Sequence, residues 1–391
     1  MKPLPDILEI KPLEKPAIGP ITVPGSKSIT NRGLILAALY EGECTLRGAL
    51  WADDTQIMVD SLQRLGFEIR VEPDPAEECN RTITVVGRSG EIPAKKAELY
   101  VGNAGTAARF LTALVCLGHG EYTIRGDERM NERPMADLFS GLRELGVEVS
   151  ASNCLPATIK TRGLRGRRVI VSARHSSQFA SALLLISREA GFEVKLAEPD
   201  EPGGYVEMTR QMMEVFRREY WIEPDLSSAS YFVAARFLTK GLVDISGWPR
   251  NSLQVDEKFA NFLPPPRRVS RLRDLGDSIM TLAICAVFGE HPVQIVDAER
   301  MRLQETDRVH AMATELRRVG VDVDEDATWF RVHPAKPGQL HGADIETYND
   351  HRLAMCFAVL GLKVPGIRIK NPGCVRKTFP NFFEKLEQLR K

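Results

Sequence analysis

The sequence predicts an α/β protein of two domains, an inside-out α/β barrel in which each domain has three βαβαββ-type repeats with buried helices and outer sheets. The first observation is a unit that occurs six times: an Ala/Leu-rich apolar helix, a short turn and a short strand. The second is an amphipathic helix that recurs as LQRLGFEI, LRELGVEV and LRRVGVDV. Helices apolar on every side must be buried, whereas amphipathic helices can face solvent. Six such units in one chain predict two domains of three units each.

The strands of the six units follow their apolar helices at uneven intervals. They are expected at Cys44, Tyr122, Phe192, Val243, Val293 and Ile367. The intervals on either side of Val243 are about 20 residues shorter than the others, so the third and fourth repeats are shortened. We expect a hairpin to be missing or reduced in each of these two repeats.

Each amphipathic helix is followed by a glycine, which stands at Gly66, Gly146 or Gly320. Many helices end with a residue of positive φ just beyond their last turn, and glycine adopts that conformation without steric cost. The three glycines therefore predict where these helices end.

The chain crosses between the domains at two expected hinges. The expected bounds are 22–224 for the first domain, 1–21 with 225–391 for the second, and 19–21 with 222–225 for the hinges. At the second hinge Pro224 interrupts the chain, and Asp225 can cap the helix that follows. Two hinges between two domains would permit open and closed states with a cleft between them.

Composition excludes several classes of function. The 52 basic and 52 acidic residues cancel, so no overall field attracts nucleic acid or an anionic membrane. The N-terminal stretch lacks the apolar core of a signal peptide, and apolar runs such as 281–288 are too short to span a bilayer, which predicts a cytoplasmic protein. The seven cysteines include no CxxC pair, and no His, Cys and carboxylate cluster has metal-ligand spacing. We therefore expect no disulfide framework, metal or cofactor.

The stretch PGSKSITNRGLIL, residues 24–36, is the first candidate anion site. It presents Lys27, Ser28 and Arg32 at the start of an apolar helix, where free backbone N–H groups also attract anions. The spacing is not that of a Walker A loop, because Ser26 stands between the glycine and the lysine. At this point a solvated basic turn that caps the helix is an equally good interpretation.

Three further motifs of the first half offer groups to a ligand. GNAGTAAR, residues 102–109, places small residues at a helix start, where backbone could approach a ligand closely. In DERMNERP we expect Arg129 to contact a ligand and Arg133 to pair with acidic neighbours. SSQ, residues 176–178, supplies two hydroxyls and an amide, although helix N-capping would explain one of the serines. The Asp53–Asp54 pair heads a helix, which favours capping over a metal.

The second half adds charged motifs at loops and helix starts. In QETDR, Glu305 precedes Arg308 by three residues, a spacing that usually indicates a surface ion pair. NDHR contributes His351, which as a lone histidine is more often structural than catalytic. The cations at such positions in both halves are Lys27, Arg32, Arg129, Arg308, Arg352 and Lys377. A cleft that they line would bind small, multiply anionic substrates, and carboxylates among them, Glu305 and Asp277, are candidates for proton transfer.

The order of the motifs resembles a known family over nearly the whole chain. The motifs are PGSKSITNR, GNAGTAAR, ERMNERP, SSQ, YVEMT, SSASYF, QETDR, NDHR and NPGCVRKTFP. Together they resemble the 5-enolpyruvylshikimate-3-phosphate (EPSP) synthase family. The resemblance implies that the enolpyruvyl group of phosphoenolpyruvate is transferred to the 5-hydroxyl of shikimate 3-phosphate. Phosphate would leave from a tetrahedral intermediate, in a cytoplasmic monomer without metal or cofactor.

The resemblance also implies the site residues. Phosphoenolpyruvate would be bound by Lys27, Gly105, Arg129, Gln178, Arg308, Arg352 and Lys377. Shikimate 3-phosphate would be bound by Lys27, Ser28, Arg32, Ser176, Ser177, Gln178, Tyr205, Asp277 and Gln304. The catalytic residues would be Lys27, Asp277, Glu305 and His351, with Asp277 as the base near the alcohol and Glu305 with Lys27 as the proton-handling pair.

Departures from the family pattern fall mainly on the shikimate 3-phosphate side. Gln304 replaces a usual lysine and Pro202 a usual serine, which removes a cation and a hydroxyl. Arg300 replaces a usual asparagine and could restore the charge. The stretch FLPPPRRVSRLRDLGDS, residues 262–278, replaces a longer lead-in to Asp277.

These departures keep two alternatives open. One is an enolpyruvyl transferase that uses a different hydroxyl acceptor. The other is a non-catalytic relative that binds anions. Retention of Lys27, Glu305, His351 and Lys377 together argues against the second, since a pure binder does not need this full set of acid, base and cation.

Overall fold

The computed structural model describes residues 3–198 and 203–390, so Pro202 lies outside the described residues. Backbone contacts divide the chain into two compact units. Gly25–Glu223 forms the central unit, and Met1–Pro24 with Pro224–Lys391 forms the terminal unit. Both units are mixed α/β, as the sequence predicted.

The secondary structure alternates along the whole chain. The terminal unit begins with β1 (Ile7–Ile10) and β2 (Ile18–Ile21). The central unit contains α1 (Lys27–Leu39), β3 (Glu41–Leu50), α2 (Asp53–Arg64), β4 (Ile69–Pro73), β5 (Asn80–Arg88), β6 (Lys96–Tyr100), α3 (Gly105–Leu114), β7 (His119–Arg125), α4 (Ala136–Glu144), β8 (Glu148–Val149), β9 (Ala157–Arg162), β10 (Arg168–Val171), α5 (Ser177–Ala190), β11 (Glu193–Leu196), α6 (Gly204–Val215) and β12 (Glu219–Trp221).

The terminal unit resumes after the central unit. It contains α7 (Leu226–Thr239), β13 (Leu242–Ile245), β14 (Arg268–Ser270), α8 (Ile279–Ala286), β15 (Val293–Val296), α9 (Arg308–Arg318), β16 (Val323–Glu325), β17 (Phe330–Val332), β18 (Ala343–Ile345), α10 (His351–Gly361), β19 (Ile367–Lys370) and α11 (Phe382–Gln388). Short 3-10 helices lie at Val115–Leu117, Met130–Glu132, Val255–Phe262, Glu299–Leu303 and Pro372–Lys377.

The sheets reproduce the predicted repeat. Three four-stranded sheets share one pattern, a parallel pair followed by two antiparallel pairs: β12-β3-β5-β4, β6-β7-β9-β8 and β14-β15-β17-β16. Within the described residues, the sheets β10-β11 and β13-β2 contain only the parallel pair. Among residues 3–198 and 203–390, the third and fourth repeats thus have no antiparallel hairpin, which agrees with the prediction that these repeats are shortened. The sixth sheet has the order β1-β19-β18.

The two predicted types of helix are both present. Every residue of α3, α8 and α10 is buried, in agreement with their apolar sequences. The amphipathic helices α2, α4 and α9 are followed by Gly66, Gly146 and Gly320, whose φ angles are 92°, 87° and 93°. Five of the six predicted strand positions lie in strands, and Phe192 directly precedes β11. No helix of the described residues combines the length and apolarity needed to cross a membrane.

A tight backbone approach in the central unit gives a test of the fold. A Cβ atom at Gly87 in β5 would lie 2.2 Å from the carbonyl oxygen of Tyr40 and 2.3 Å from that of Ala37. Because both atoms are backbone, Gly87→Ala should lower the free energy of unfolding by about 1–3 kcal/mol. Urea unfolding measures this, and Gly373→Ala is the control, since its nearest atoms would be 3.8 Å away. Equal midpoints for the two variants would contradict the predicted crowding.

Candidate active site

Lys27 begins α1 in the central unit and is nearly enclosed. Its Nζ lies 3.3 Å from Oδ2 of Asp54, and the side chains are 13% and 4% exposed. Asp54 lies in the first turn of α2, where the helix dipole favours a carboxylate. Asp53 and Asp54 therefore do head a helix as predicted, but the N-cap residue is Ala52. Sequence reasoning missed the ion pair between Asp54 and Lys27.

Arg32 lies deeper in the central unit, at 2% exposure. Its Nε donates to Oγ1 of Thr209 at 2.7 Å, and its Nη2 donates to Oγ of Ser181 at 3.2 Å and to the carbonyl of Tyr205 at 3.0 Å. Burial lowers the pKa of Arg32 to about 10. These bonds tie α1 to α5 and α6, so Arg32 has a structural role. Its contact with shikimate 3-phosphate remains a prediction.

The N-termini of α3 and α5 meet through side chains. Ser176 is the N-cap of α5 and accepts from the backbone N–H of Gln178 at 3.2 Å, which confirms capping by one serine of SSQ. The side-chain amide of Gln178 donates to Oγ1 of Thr106 at 3.4 Å. Gly105 begins α3, and a Cβ atom there would lie 2.7 Å from Nη2 of Arg133. Small size at position 105 therefore lets guanidinium groups approach the start of α3.

The two arginines of DERMNERP differ in exposure. Arg129 is 34% exposed and forms an ion pair with Glu132, with Nη1 3.1 Å from Oε2. Arg133 is buried, and its Nη1 donates to Oδ1 of Asn103 at 3.0 Å. The expectation that Arg133 pairs with acidic neighbours was wrong, because its guanidinium donates to the side-chain amide oxygen of Asn103 instead. Arg129, which is partly exposed, is the more accessible of the two cations.

Arg308 is the centre of a charged cluster in the terminal unit. It begins α9 at 2% exposure. Its Nε lies 2.7 Å from Oδ2 of Asp350, its Nη2 lies 2.9 Å from Oε2 of Glu305, and its Nη1 lies 3.8 Å from Oδ1 of Asp277. Gln304 also accepts from Nη1 at 2.9 Å. Burial alone would lower the pKa of Arg308, but the three carboxylates raise it above its usual range.

Glu305 lies between two cations. Besides Arg308, Nζ of Lys377 lies 3.3 Å from Oε1 of Glu305, and the Glu305 side chain is 8% exposed. The spacing of QETDR predicted the Glu305–Arg308 pair and by itself favoured a place at the surface, but the pair is buried: the two side chains are 8% and 2% exposed, and Asp350 also contacts the guanidinium. A carboxylate held in this way can exchange protons with a group that binds beside it.

Asp277 is also held by cations. Its Oδ2 lies 2.7 Å from Nη2 of Arg352, its Oδ1 lies 2.9 Å from Nη2 of Arg271, and its side chain is 17% exposed. The turn before it is fixed by Asp256, which accepts from the backbone N–H of Gly276 at 2.6 Å. Burial raises the pKa of Asp256. Sequence reasoning missed Arg271 and Asp256, since no periodic pattern or motif marks either residue.

His351 is completely buried at the start of α10. Its Nδ1 lies 3.7 Å from Oδ1 of Asp350, which caps α10 by accepting from the backbone N–H of Arg352 at 2.9 Å. Arg352 also donates to the hydroxyl of Tyr231 at 3.4 Å. An aspartate before an apolar helix is an N-cap signal, so NDHR could have indicated the role of Asp350.

The structure thus brings together one part of the predicted site within each unit. The terminal unit gathers Asp277, Gln304, Glu305, Arg308, His351, Arg352 and Lys377. The central unit holds Lys27 and Ser28 in the first turn of α1, Gly105 at the start of α3, Ser176, Ser177 and Gln178 at the start of α5, Tyr205 in α6, Arg32 and Arg129. Arg300 lies in the 3-10 helix Glu299–Leu303. Residues 3–198 and 203–390 contain no group of three or more His, Cys, Asp or Glu side chains that could hold a metal ion.

Sequence comparison supports the interpretation of the motifs. The sequence model of the family described as "EPSP synthase (3-phosphoshikimate 1-carboxyvinyltransferase)" matches residues 13–218, 215–264 and 265–386. A protein of Nostoc punctiforme named 3-phosphoshikimate 1-carboxyvinyltransferase is 38% identical over 432 residues, which covers 98% of this chain and 99% of that protein. A protein of Opitutus terrae with the same name is 39% identical, with 99% and 98% covered.

Solved structures share the fold. An EPSP synthase from Acinetobacter baumannii superposes with a TM-score of 0.75 at 23% identity, and the match covers 98% of each chain. The enolpyruvyl transferase NikO from Streptomyces tendae superposes with a TM-score of 0.69 at 17% identity, over 98% of this chain and 97% of that one. At these identities the likeness concerns the fold alone.

Proposed function

The chain belongs to the EPSP synthase family, and from this premise we propose that it transfers the enolpyruvyl group of phosphoenolpyruvate to the 5-hydroxyl of shikimate 3-phosphate. The reaction releases phosphate and belongs to the shikimate pathway that leads to chorismate and the aromatic amino acids. One observation carries the proposal: in the terminal unit two carboxylates, Asp277 and Glu305, lie among buried cations. Proton transfer on an anionic substrate needs this combination of groups.

The chemistry requires one proton to be removed and another to be added. The 5-hydroxyl loses its proton as its oxygen bonds to C2 of phosphoenolpyruvate, while C3 gains a proton. This gives a tetrahedral intermediate, which then loses a proton from the new methyl group and expels phosphate to restore the enol ether. We assign the proton of the hydroxyl to Asp277 and the protons at C3 to Glu305, and we assign Lys27 to proton handling as the family resemblance implies.

The cations of the terminal unit suit the charges of phosphoenolpyruvate. Arg352 pairs with Asp277, and Lys377 pairs with Glu305, so both cations have carboxylate partners in the described structure. A bound phosphate or carboxylate would compete for the same cations, since charge-assisted hydrogen bonds to phosphate are strong. When Arg352 and Lys377 also bind the substrate, they stabilise the ionised carboxylates less. The proton affinity of Asp277 and Glu305 therefore increases. Substrate binding would thereby prepare the two bases for proton transfer.

The proposal is tested by phosphate release from the purified protein. Phosphoenolpyruvate is supplied with shikimate 3-phosphate, with plain shikimate, or alone, and shikimate 3-phosphate is also supplied alone. We expect release only when phosphoenolpyruvate and shikimate 3-phosphate are present together. If the protein binds phosphoenolpyruvate but releases no phosphate with shikimate 3-phosphate, the proposed acceptor is wrong.

The departure at Gln304 makes a separate prediction about the acceptor. Its side-chain oxygen accepts from Nη1 of Arg308. The amide is neutral and therefore adds no positive charge for the phosphate of shikimate 3-phosphate. Gln304→Lys should lower the KM for shikimate 3-phosphate by about tenfold, because a charged donor strengthens a hydrogen bond to phosphate. Gln63→Lys makes the same change at an exposed position of α2 and should leave this KM unchanged. An unchanged KM in Gln304→Lys would mean that another cation, such as Arg300, already supplies the charge.

We also propose that the enzyme acts as a monomer in the cytoplasm on these two small substrates, without a nucleic acid or membrane partner. The balance of 52 basic and 52 acidic residues supports the absence of polyanionic partners. Size-exclusion chromatography with light scattering, run with and without substrates, should give the mass of one chain.

A further inference from the structure

Arg271 is a largely enclosed cation that the proposed chemistry does not yet use. It follows β14 inside the stretch 262–278, where this chain departs from the family pattern. Its side chain is 12% exposed, and its Nη2 lies 2.9 Å from Oδ1 of Asp277. Its backbone N–H donates to the carbonyl of Val296 at 2.9 Å, and its Nη1 donates to the carbonyl of Leu275 at 3.4 Å. Arg271 is therefore fixed at both its backbone and its guanidinium.

We propose that Arg271 is a positioning residue that orients Asp277 and keeps it ionised for removal of the acceptor's proton. Arg271 holds Oδ1 of Asp277, while Arg352 holds Oδ2 at 2.7 Å. A carboxylate held by different cations at its two oxygens cannot rotate freely. The inference rests on the proposed function, in which Arg352 also binds phosphoenolpyruvate. Arg271 would then be the cation that stays with Asp277 when Arg352 turns to the substrate.

Several charged groups face Asp277, and their balance sets the expected effect. Arg271 lies in the same loop as Asp277, Arg352 lies in α10, and Arg308 lies in α9 at 3.8 Å from Asp277. Asp256 opposes these cations, because a second carboxylate nearby disfavours the ionised form of Asp277. Burial is the main cause of the raised pKa of Asp256, and the charge of Asp277 raises it further. Loss of Arg271 removes a direct cation contact from Asp277 while the opposing carboxylate remains. The pKa of Asp277 should therefore rise in a variant without Arg271.

The test compares Arg271→Met with Arg273→Met. Arg273 is the matched control, since it lies two residues away in the same loop and also faces an aspartate, but is 64% exposed with Nη2 3.9 Å from Oδ2 of Asp297. In Arg271→Met the acid limb of the pH profile of kcat/KM should move up by about one pH unit. At neutral pH kcat should fall by about tenfold or more, with little change in the KM for phosphoenolpyruvate. Arg271→Lys should restore part of the activity, and Arg273→Met should match the wild type.

The outcomes separate the inference from the proposed function. If the wild type releases no phosphate with shikimate 3-phosphate, the proposed function fails. The inference is then tested by ¹³C NMR titration of the Asp277 carboxyl, which should move to higher pH in Arg271→Met but not in Arg273→Met. Thermal unfolding of each variant verifies that it is folded, and Arg271→Lys replaces any variant that is not. The proposal is wrong if Arg271→Met and the wild type have the same acid limb in the pH profile of kcat/KM, or if the Asp277 carboxyl titrates at the same pH in both.

Discussion

Glu305→Gln should lower kcat by about 10²- to 10⁴-fold, the range that a general acid or base contributes. The amide keeps the shape of the side chain, but it cannot exchange a proton with C3 of phosphoenolpyruvate. The fold should survive, because Arg308 retains its 2.7 Å contact with Asp350. The KM for phosphoenolpyruvate should stay equal or fall, since the change removes a carboxylate that competes with substrate for Lys377. Initial rates of phosphate release, together with thermal unfolding, measure these quantities.

The control for this variant is Glu299→Gln. Glu299 is exposed in the neighbouring 3-10 helix, six residues before Glu305, so its replacement should leave kcat and stability unchanged. Near-wild-type kcat in Glu305→Gln would contradict the assigned proton transfer. A raised KM with an unchanged kcat would instead indicate that Glu305 only helps to bind substrate.

The fold was predictable from sequence because its signals are local and repeated. A helix end needs one residue of positive φ, and Gly66, Gly146 and Gly320 each meet that need at the same point of a repeated motif. The missing hairpins were predictable from spacing alone, because a repeat about 20 residues short has no room for two strands and their turn. The sheets β10-β11 and β13-β2 confirm this inference.

The site was predictable in its residue types but not in its contacts. The spacing of QETDR predicts a pair between Glu305 and Arg308, since the two residues lie only three positions apart in the chain. Its burial depends on Asp350, which lies 42 residues further along the chain. In the same way Asp54 carries a local helix-start signal, while its ion pair with Lys27 depends on how α2 packs beside α1. Tertiary packing, which no local pattern encodes, decides these partners.

Lys27→Met should reduce kcat by a similar two to four orders of magnitude, because it removes a cation that we assign to proton handling. Methionine keeps the aliphatic stem and its packing. The change leaves Asp54, at 4% side-chain exposure, without this counter-ion, so it should also lower the free energy of unfolding by about 3 kcal/mol. Stability and activity must therefore be separated before the loss of activity is assigned to chemistry.

The double variant Lys27→Met/Asp54→Asn separates the two effects. Removing both charges together should restore much of the stability that the single change lost, because no carboxylate is left beside methionine, but it should restore none of the turnover. Lys160→Met is the matched control: Lys160 pairs with Glu121 at 3.2 Å, close to the 3.3 Å of Lys27 and Asp54, but the two side chains are 59% and 43% exposed. Its effect on stability should be below about 1 kcal/mol, since exposed pairs contribute little. If the double variant regained both stability and turnover, Lys27 would act only as a structural partner of Asp54.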